Sequence, residues 1–258
     1  GDVMKDLFDL NGKAALVTGA SSGLGRHFAM TLSRSGATVA VAARRDDKVA
    51  EVASEIVASG GRAIGVALDV TDRESITDAF ERVEREVGTV TILVNNAGIA
   101  KRDLALEVTE DHWQEVIATN LTGVWVVAQE AARRMIKAQS GGSIVSIASL
   151  LSKRVSPGIM PYAVSKAGVA HMTRSLAVEW AQHGIRVNAI APGYFETDLN
   201  RDYLRSDYAQ SMINRIPFRR TGELEELEGP LLLMCSEAGS YVSGTVLSVD
   251  GAHAVNPF

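Results

Sequence analysis

Seven short runs of apolar, largely β-branched residues recur along this chain and alternate with longer segments of helical periodicity. The runs are continuously apolar and do not alternate with polar residues, which is typical of strands buried on both faces. Such strands belong to parallel sheets whose connections are right-handed helical crossovers. The sequence therefore predicts a doubly wound α/β fold with helices on both faces of a parallel sheet. The predicted strands are Ala14–Thr18, Thr38–Ala43, Ala63–Leu68, Ile92–Asn95, Ile144–Ser149, Arg186–Ile190 and Val246–Val249.

No Pro/Ser-rich linker and no internal repeat interrupts this pattern, so we expect one domain over residues 1–258.

Thr109–Asp111 carry acceptor side chains and negative charge suited to the start of a helix. That helix is predicted to run to about Gln139, with Asn120 and Gly123 inside it. Both residues are unfavourable in mid-helix, so we expect a local bend with either a packing or a functional cause.

Charge and cysteine usage exclude several classes of protein. The chain has 26 Lys+Arg against 31 Asp+Glu, a net charge of -5, so we expect no nucleic-acid or membrane-surface partner.

A single cysteine, Cys235, excludes an internal disulfide framework, and no apolar run is long enough to span a membrane. Gly1–Asn11 lack the pattern of a signal peptide, so we expect a cytoplasmic protein. We expect no metal site, because metal-ligand spacing is absent around the five histidines, His27, His112, His171, His183 and His253.

A glycine-rich turn directly follows the first predicted strand and precedes a helical pattern. Glycines permit positive φ and close backbone approach, and a helix N-terminus offers unpaired N–H groups to a pyrophosphate. The alternative is a tight strand-to-helix turn that binds nothing. We interpret the turn as a dinucleotide site formed by Gly19, Ser21, Ser22, Gly23, Leu24 and Gly25.

The end of the second predicted strand indicates which dinucleotide is bound. It reads Arg44-Arg45, with no carboxylate before Asp46. Dinucleotide sites for NAD place an acidic residue here, whereas an arginine accommodates the 2′-phosphate of NADP. We therefore expect NADP(H) to be preferred, with NAD(H) as the alternative cofactor. In the competing interpretation, the two arginines are surface charges paired with Asp46 and Asp47.

Tyr162 and Lys166 lie four residues apart at the start of a predicted helix, thirteen residues after Ser149. Residues at i and i+4 share a helical face, so the phenol and the ammonium can point to one place. A neighbouring cation lowers the pKa of a phenol and makes it a usable acid/base near neutral pH. Alone, this spacing equally fits two surface residues.

Taken together, these motifs resemble the short-chain dehydrogenase/reductase family in order and spacing, over essentially the whole chain. The resemblance rests on Thr18-Gly19-x-x-x-Gly23-x-Gly25, Asn95-Asn96-Ala97-Gly98, Asn120, Ser149, Tyr162-x-x-x-Lys166 and Pro192-Gly193. It implies a seven-stranded Rossmann sheet, commonly a homotetramer, and an NAD(P)-dependent oxidoreductase that interconverts a ketone and a secondary alcohol.

The resemblance also implies catalytic roles. Tyr162 would be the acid/base at the substrate oxygen, and Ser149 would hydrogen-bond that same oxygen. Lys166 would hold the nicotinamide ribose hydroxyls and lower the pKa of Tyr162. Asn120 would order a water that relays protons to Lys166, which gives the helix bend a functional cause.

Further cofactor contacts are implied at the ends of later strands. They are Asp69 and Val70 around the adenine, Asn96, Ala97 and Gly98 along the adenosine ribose, and Pro192, Gly193, Phe195 and Thr197 at the nicotinamide and its carboxamide. Asn95–Gly98 has a second interpretation as a structural strand-end turn. Phe195 departs from the small aliphatic residue expected at its position, which affects pocket size.

Residues 194–218 resemble the family's variable substrate loop. The expected substrate contacts are Arg102, Leu150, Arg154 and Tyr194. The segment Pro192–Thr197, together with Lys101-Arg102, resembles members that act on keto sugar acids, such as gluconate 5-dehydrogenases. The general outline equally resembles 3-oxoacyl carrier-protein reductases.

The competing hypothesis from another class of protein is a nucleotide-sensing scaffold without turnover. The intact catalytic residues argue against it.

Overall fold

The computed structural model describes residues 7–197 and 200–256, with residue 208 described by its backbone alone. Its seven strands form one parallel sheet in the order β3-β2-β1-β4-β5-β6-β7. The predicted doubly wound, seven-stranded parallel fold is therefore confirmed. The strands are β1 (Ala14–Thr18), β2 (Thr38–Ala43), β3 (Arg62–Ala67), β4 (Val90–Asn95), β5 (Gly142–Ile147), β6 (Ile185–Pro192) and β7 (Val246–Val249).

Helices cover both faces of the sheet. In the described part of the chain they are α1 (Gly23–Arg34), α2 (Asp46–Ala58), α3 (Arg73–Glu86), α4 (Glu110–Ile117), α5 (Gly123–Ala138), α6 (Met160–Trp180), α7 (Arg201–Leu204), α8 (Asp207–Ile213) and α9 (Glu228–Cys235). One apolar core lies between the sheet and α1, α2 and α9, and a second lies between the opposite face and α3, α5 and α6. The central strands are thus buried from both sides, which explains their continuous apolar runs, whereas the edge strands β3 and β7 are only partly buried.

The winding of the chain changes direction at β1. This strand pairs with β2 on one side and with β4 on the other, so the helices that follow β1 and β4 leave toward opposite faces. In open parallel sheets, a crevice forms at such a switch point, at the carboxyl ends of the strands. The loops after β1, β4, β5 and β6 meet at this edge.

The expected helix bend is present. Residues Ala118–Thr122 form a π-helical turn that separates α4 from α5, and Asn120 within it is fully buried. A Cβ at Gly123 would lie 2.8 Å from the carbonyl oxygen of Val70, in the loop after β3. Glycine at this position therefore allows α5 to pack closely against that loop. Packing accounts for Gly123, and the hydrogen bonds of Asn120, described below, account for the buried amide.

None of the helices within residues 7–197 and 200–256 combines the length and the apolar character needed to cross a bilayer. Over the same residues, no three His, Cys, Asp or Glu side chains converge as metal ligands.

Candidate active site

The glycine turn between β1 and α1 requires its glycines. Gly19 has φ +60°, and a Cβ there would lie 2.8 Å from the Cα of Ala97. A Cβ at Gly25 would clash with the carbonyl oxygen of Gly19, inside the turn itself. Gly23 also has positive φ, at +56°. The turn is therefore tight and packed against the loop after β4, so a ligand can approach its backbone closely.

Thr18 and Asn96 tie this turn to the loop after β4. The Thr18 hydroxyl accepts hydrogen bonds from the backbone N–H groups of Asn96 and Ala97, at 3.0 Å each. The Asn96 amide donates to the carbonyl oxygens of Thr18 and Gly19 at 3.2 and 3.1 Å. Asn96 thus has the structural role that one interpretation of the motif predicted. The role of Thr18 was not predicted, although a polar residue that ends an apolar strand is a signal for it.

The first turn of α1 can accept an anion. Ser22 precedes the helix in an extended conformation, and its side chain makes no capping hydrogen bond. The leading N–H groups of α1 therefore remain available at the positive end of the helix dipole. Leu24, in this first turn, lines the cavity that also contains Ser149 and Tyr162. The arrangement fits a dinucleotide whose pyrophosphate meets α1.

Arg44 and Arg45 are exposed at the end of β2. No ion pair between them and Asp46 or Asp47 occurs in the described part of the chain, contrary to the competing interpretation. Arg44 instead acts on Asp69: burial alone would raise the pKa of Asp69, but hydrogen bonds from Thr71 and the charge of Arg44 lower it. A cation is therefore positioned where β2 and β3 end, beside the predicted adenine contact.

One cavity of about 290 Å³ joins the glycine turn to the predicted catalytic residues. It is bounded by the first turn of α1 and by the ends of β4, β5 and β6. The residues predicted for cofactor or catalysis that line it are Leu24, Asn96, Gly98, Ser149, Tyr162, Lys166, Pro192 and Gly193. Parts of the chain separated by more than 160 residues thus meet in one chemical site.

Tyr162 and Ser149 both line this cavity. Burial raises the pKa of Tyr162, and the Ser149 hydroxyl opposes this effect only in part. The Lys166 ammonium lies 5.6 Å from the centre of the Tyr162 ring, but the pKa of the phenol is shifted by its burial and by Ser149. The expected net lowering of this pKa by Lys166 is therefore wrong for this structure.

Lys166 is buried, with 4% of its surface exposed. Its Nζ donates to the carbonyl oxygen of Ile147 at 2.7 Å. Burial lowers the pKa of Lys166 to about 8. An ammonium with this pKa can give up and regain its proton close to neutral pH, as a member of a proton-transfer chain must.

The buried amide of Asn120 connects the loop after β4 to α6. Its Oδ1 accepts from the N–H of Ile99 at 2.8 Å, and its Nδ2 donates to the Ile99 carbonyl at 2.8 Å and to the Ser165 hydroxyl at 3.2 Å. Ser165 donates in turn to the carbonyl oxygen of Tyr162 at 2.7 Å. Asn120 therefore holds the loop and the catalytic helix in register, and its expected role in ordering a water stays a prediction.

Ser152 orients Ser149, a role that was not predicted from the sequence. Its hydroxyl accepts from the N–H of Ser149 at 3.2 Å and donates to the Lys166 carbonyl at 2.9 Å. The Ser149 hydroxyl accepts from the N–H of Leu151 at 3.1 Å, which completes a capping box. The signal was the Ser-x-x-Ser spacing, which is typical of a capped turn.

Two predicted nicotinamide contacts lie in different environments. Phe195 is buried in the core, where its ring packs against Gly222, so the side chain does not set the size of the cavity between Ser149 and Gly193. The expectation about its effect on pocket size is wrong for this reason. Thr197, by contrast, lies over the glycine turn, with its methyl group 3.9 Å from the position of a Cβ at Gly23.

Three of the four predicted substrate residues come together. Leu150, Arg154 and Tyr194 line a second cavity of about 180 Å³ beside the first, and Arg102 is exposed and does not line it. Lys101, its neighbour, forms an ion pair with Glu115. Within the predicted substrate loop, residues 198 and 199 lie outside the described residues.

Comparison with known proteins agrees with this geometry. Residues 19–252 match the family model described as Enoyl-(Acyl carrier protein) reductase. The chain is 38% identical to gluconate 5-dehydrogenase of Gluconobacter oxydans over 252 residues, covering 97% of this chain and 98% of that protein. It is 40% identical to the 3-oxoacyl-[acyl-carrier-protein] reductase of Aquifex aeolicus over 243 residues, covering 94% and 97%. The crystal structure of a gluconate 5-dehydrogenase from Burkholderia cenocepacia, in complex with NADP and tartrate, superposes with a TM-score of 0.93 at 36% identity, covering 98% of this chain and 99% of that one.

Proposed function

Because the chain belongs to the short-chain dehydrogenase/reductase family and is an oxidoreductase, we propose that it uses NADP(H) to interconvert a ketone and a secondary alcohol on a keto sugar acid. The observation that carries this proposal is the single cavity that joins the first turn of α1 to Ser149, Tyr162 and Lys166. A dinucleotide held by the glycine turn would reach the acid/base only through such a cavity.

The preference for NADP(H) is supported by Arg44. Its guanidinium is exposed at the end of β2, is not paired with Asp46 or Asp47, and acts on Asp69. A phosphate contact from such an arginine is charge-assisted and is worth about tenfold to a hundredfold in affinity. The residues proposed to hold the cofactor are Gly19, Ser21, Ser22, Gly23, Leu24, Gly25, Arg44, Arg45, Asp69, Val70, Asn96, Ala97, Gly98, Tyr162, Lys166, Pro192, Gly193, Phe195 and Thr197.

When bound, the nicotinamide supplies or accepts hydride, and the protein supplies position and the proton. Tyr162 keeps its proton at neutral pH because burial raises its pKa, so it is ready to protonate the oxygen of a ketone. Ser149, held by Ser152 and lining the same cavity as Tyr162, provides the second hydrogen bond to that oxygen. Lys166, with a pKa of about 8, restores the proton of Tyr162.

The keto sugar acid is favoured among carbonyl substrates because gluconate 5-dehydrogenases occur among both the sequence relatives and the structural neighbours. The second candidate is a 3-oxoacyl thioester, which is supported by the relative from Aquifex aeolicus. Residues 194–218 are proposed as the loop that selects between them, because loops on a rigid scaffold carry specificity.

The test is the nicotinamide absorbance change with NADPH or NADH and three carbonyl compounds: 5-keto-D-gluconate, an acetoacetyl thioester and a bulky hydrophobic ketone. We expect NADPH oxidation to be fastest with 5-keto-D-gluconate and to be lost in Tyr162→Phe. Turnover with the thioester alone would replace the substrate proposal with its alternative. Tight NADPH binding without turnover of any compound would favour the nucleotide-sensing scaffold.

A homotetramer, expected from the family resemblance, stays a prediction. Light scattering coupled to size-exclusion chromatography measures it directly, with a mass of four subunits expected and the 27.5 kDa of one chain as the contrary result.

A further inference from the structure

The second cavity adjoins the active site through two chain segments. Leu150, which lines it, directly follows Ser149, and Tyr194, which also lines it, directly follows Gly193. Its volume of about 180 Å³ suits a small group, and it is distinct from the volume reached by the glycine turn. Each of the two segments thus contributes one residue to the catalytic cavity and the next residue to the second cavity.

The cavity is positively charged in a protein of net charge -5. Arg154 and Arg215 line it, and none of the described residues that line it is acidic. Arg154 is one turn from Leu150, because its N–H donates to the Leu150 carbonyl at 3.1 Å. A pair of guanidinium groups without a carboxylate favours an anionic ligand.

Within the described residues, both arginines have hydrogen-bond donors without a partner. The Arg215 guanidinium has no hydrogen bond or ion pair within residues 7–197 and 200–256. Arg154 donates through Nη1 to the backbone carbonyls of His253 and Asn256. Its Nε and Nη2 have no partner in the described part of the chain.

Several other cations near the site already have partners in the described part of the chain. Lys101 forms an ion pair with Glu115, and Lys153 donates to the Ser248 hydroxyl at 3.0 Å. In the substrate loop, Arg201 and Arg205 both pair with Glu196, at 2.9 and 3.0 Å. Among the described residues that line the second cavity, Arg154 and Arg215 are the two cations.

His253 forms part of the wall and supplies a further polar group. Its Nδ1 is buried and has no hydrogen-bond partner among the described residues, and its ring lies 5.8 Å from that of Tyr194. Burial and the charge of Arg154 lower the pKa of His253, while Asp250 opposes them. The imidazole is therefore neutral at pH 7, and the positive charge of the cavity comes from the two arginines.

We propose that this cavity binds a carboxylate of the substrate, with Arg154 and Arg215 as its recognition residues. The substrate is then a carbonyl compound whose carboxylate lies a few carbons from the reacting carbon, and a neutral ketone or a thioester lacks the group that the cavity recognises. This inference rests on the proposed function and names the part of that site that selects the substrate.

The first experiment compares kcat/KM for 5-keto-D-gluconate and for its C1 amide, which replaces the charged oxygen with a neutral group of the same size. Arg215→Gln is the main variant, because Arg215 is exposed and its guanidinium has no partner among residues 7–197 and 200–256, whereas Arg154 also holds the C-terminal segment. We expect the wild-type acid-to-amide ratio to fall about tenfold in Arg215→Gln. Arg85→Gln is the matched control, since Arg85 is an exposed arginine on α3 that lines neither cavity.

The second experiment measures binding without turnover. The affinity of D-gluconate for Tyr162→Phe saturated with NADP⁺ is measured by calorimetric titration. We expect this affinity to fall about tenfold when Arg215→Gln is added and to stay unchanged when Arg85→Gln is added.

The outcomes separate the two proposals. Turnover of the acid and the amide with equal kcat/KM, or an equal ratio in Arg215→Gln and Arg85→Gln, overturns the carboxylate site and leaves the reductase standing. Arginine-dependent binding of D-gluconate without turnover of any carbonyl overturns the proposed function and leaves the site standing. Absence of both binding and turnover overturns both.

Discussion

Replacing Lys166 with methionine is expected to change how stability depends on pH. The pKa of Lys166 falls from 10.5 for a solvated lysine to about 8 in the fold, because the ammonium is buried. Among the described residues, its one hydrogen bond goes to the Ile147 carbonyl. At about 1.4 kcal/mol per pKa unit, keeping the charged ammonium in the fold costs roughly 3 kcal/mol at pH 7. Lys166→Met removes this cost.

The direction of the pH dependence follows from proton binding. Below pH 8 the lysine is protonated in both the folded and the unfolded chain, so the cost is present in full. Between about pH 8 and 10.5 only the unfolded chain binds the proton, so the stability of the wild type rises with pH through this window. Of the roughly 3 kcal/mol, about 2 kcal/mol should disappear between pH 7 and 9.5.

The mutation has a second effect that does not depend on pH. Methionine leaves the buried Ile147 carbonyl without its donor, which costs about 1 to 3 kcal/mol at every pH. The difference in unfolding free energy between the mutant and the wild type at pH 7 therefore does not test the prediction by itself. The test is how that difference changes with pH. Urea unfolding curves, followed by the fluorescence of the three tryptophans at equal subunit concentration and without cofactor, measure it.

The control is Lys137→Met, at an exposed position near the end of α5. Its unfolding free energy should run parallel to that of the wild type from pH 7 to 9.5. The reasoning is refuted if Lys166→Met also runs parallel to the wild type, because the ammonium would then be as well solvated in the fold as in the unfolded chain.

Three further predictions concern the cofactor site and the scaffold. Arg44→Asp should lower the NADPH-to-NADH ratio of kcat/KM at least tenfold, because a phosphate contact becomes a repulsion; an unchanged ratio removes Arg44 from this role. Gly25→Ala should abolish NADPH binding in a fluorescence titration, since its Cβ would clash with Gly19, whereas Gly229→Ala, where a Cβ meets nothing within 4 Å, should bind normally. Asp72→Ala removes the side-chain cap of α3 and should lower the free energy of unfolding by about 1 kcal/mol with kcat unchanged; a loss of activity at full stability would contradict a purely capping role.

The strands were predictable because burial on both faces leaves a continuous apolar run. β1, β2 and β7 begin and end where the sequence places them. The errors lie at ends where tertiary contacts decide. β5 ends at Ile147, two residues early, because Ser149 leaves the sheet to cap a short 3₁₀ turn. β6 continues to Pro192, because that residue still pairs with Val249 of β7.

The site was predictable in its residues and not in their partners. Motif spacing places Tyr162 and Lys166 on one helical face, but it carries no information about the Ile147 carbonyl that Lys166 contacts. Nor does it show that burial of the phenol raises its pKa. The position of the Phe195 ring was not predictable for the same reason: the space beside Gly222 that receives it is formed by residues distant in sequence.

The π turn at Asn120 shows how packing and function combine in one feature. The sequence offered a packing cause and a functional cause for the bend as alternatives, and the structure contains a residue for each. Gly123 lets the helix approach Val70, and the extra residue of the π turn lets a buried Asn120 amide reach both backbone groups of Ile99. Through Ser165 the same amide is linked to the Tyr162 carbonyl. The position of the acid/base relative to the loop after β4 therefore depends on a helix defect, which is why two poor helix formers are placed in the middle of a long helix.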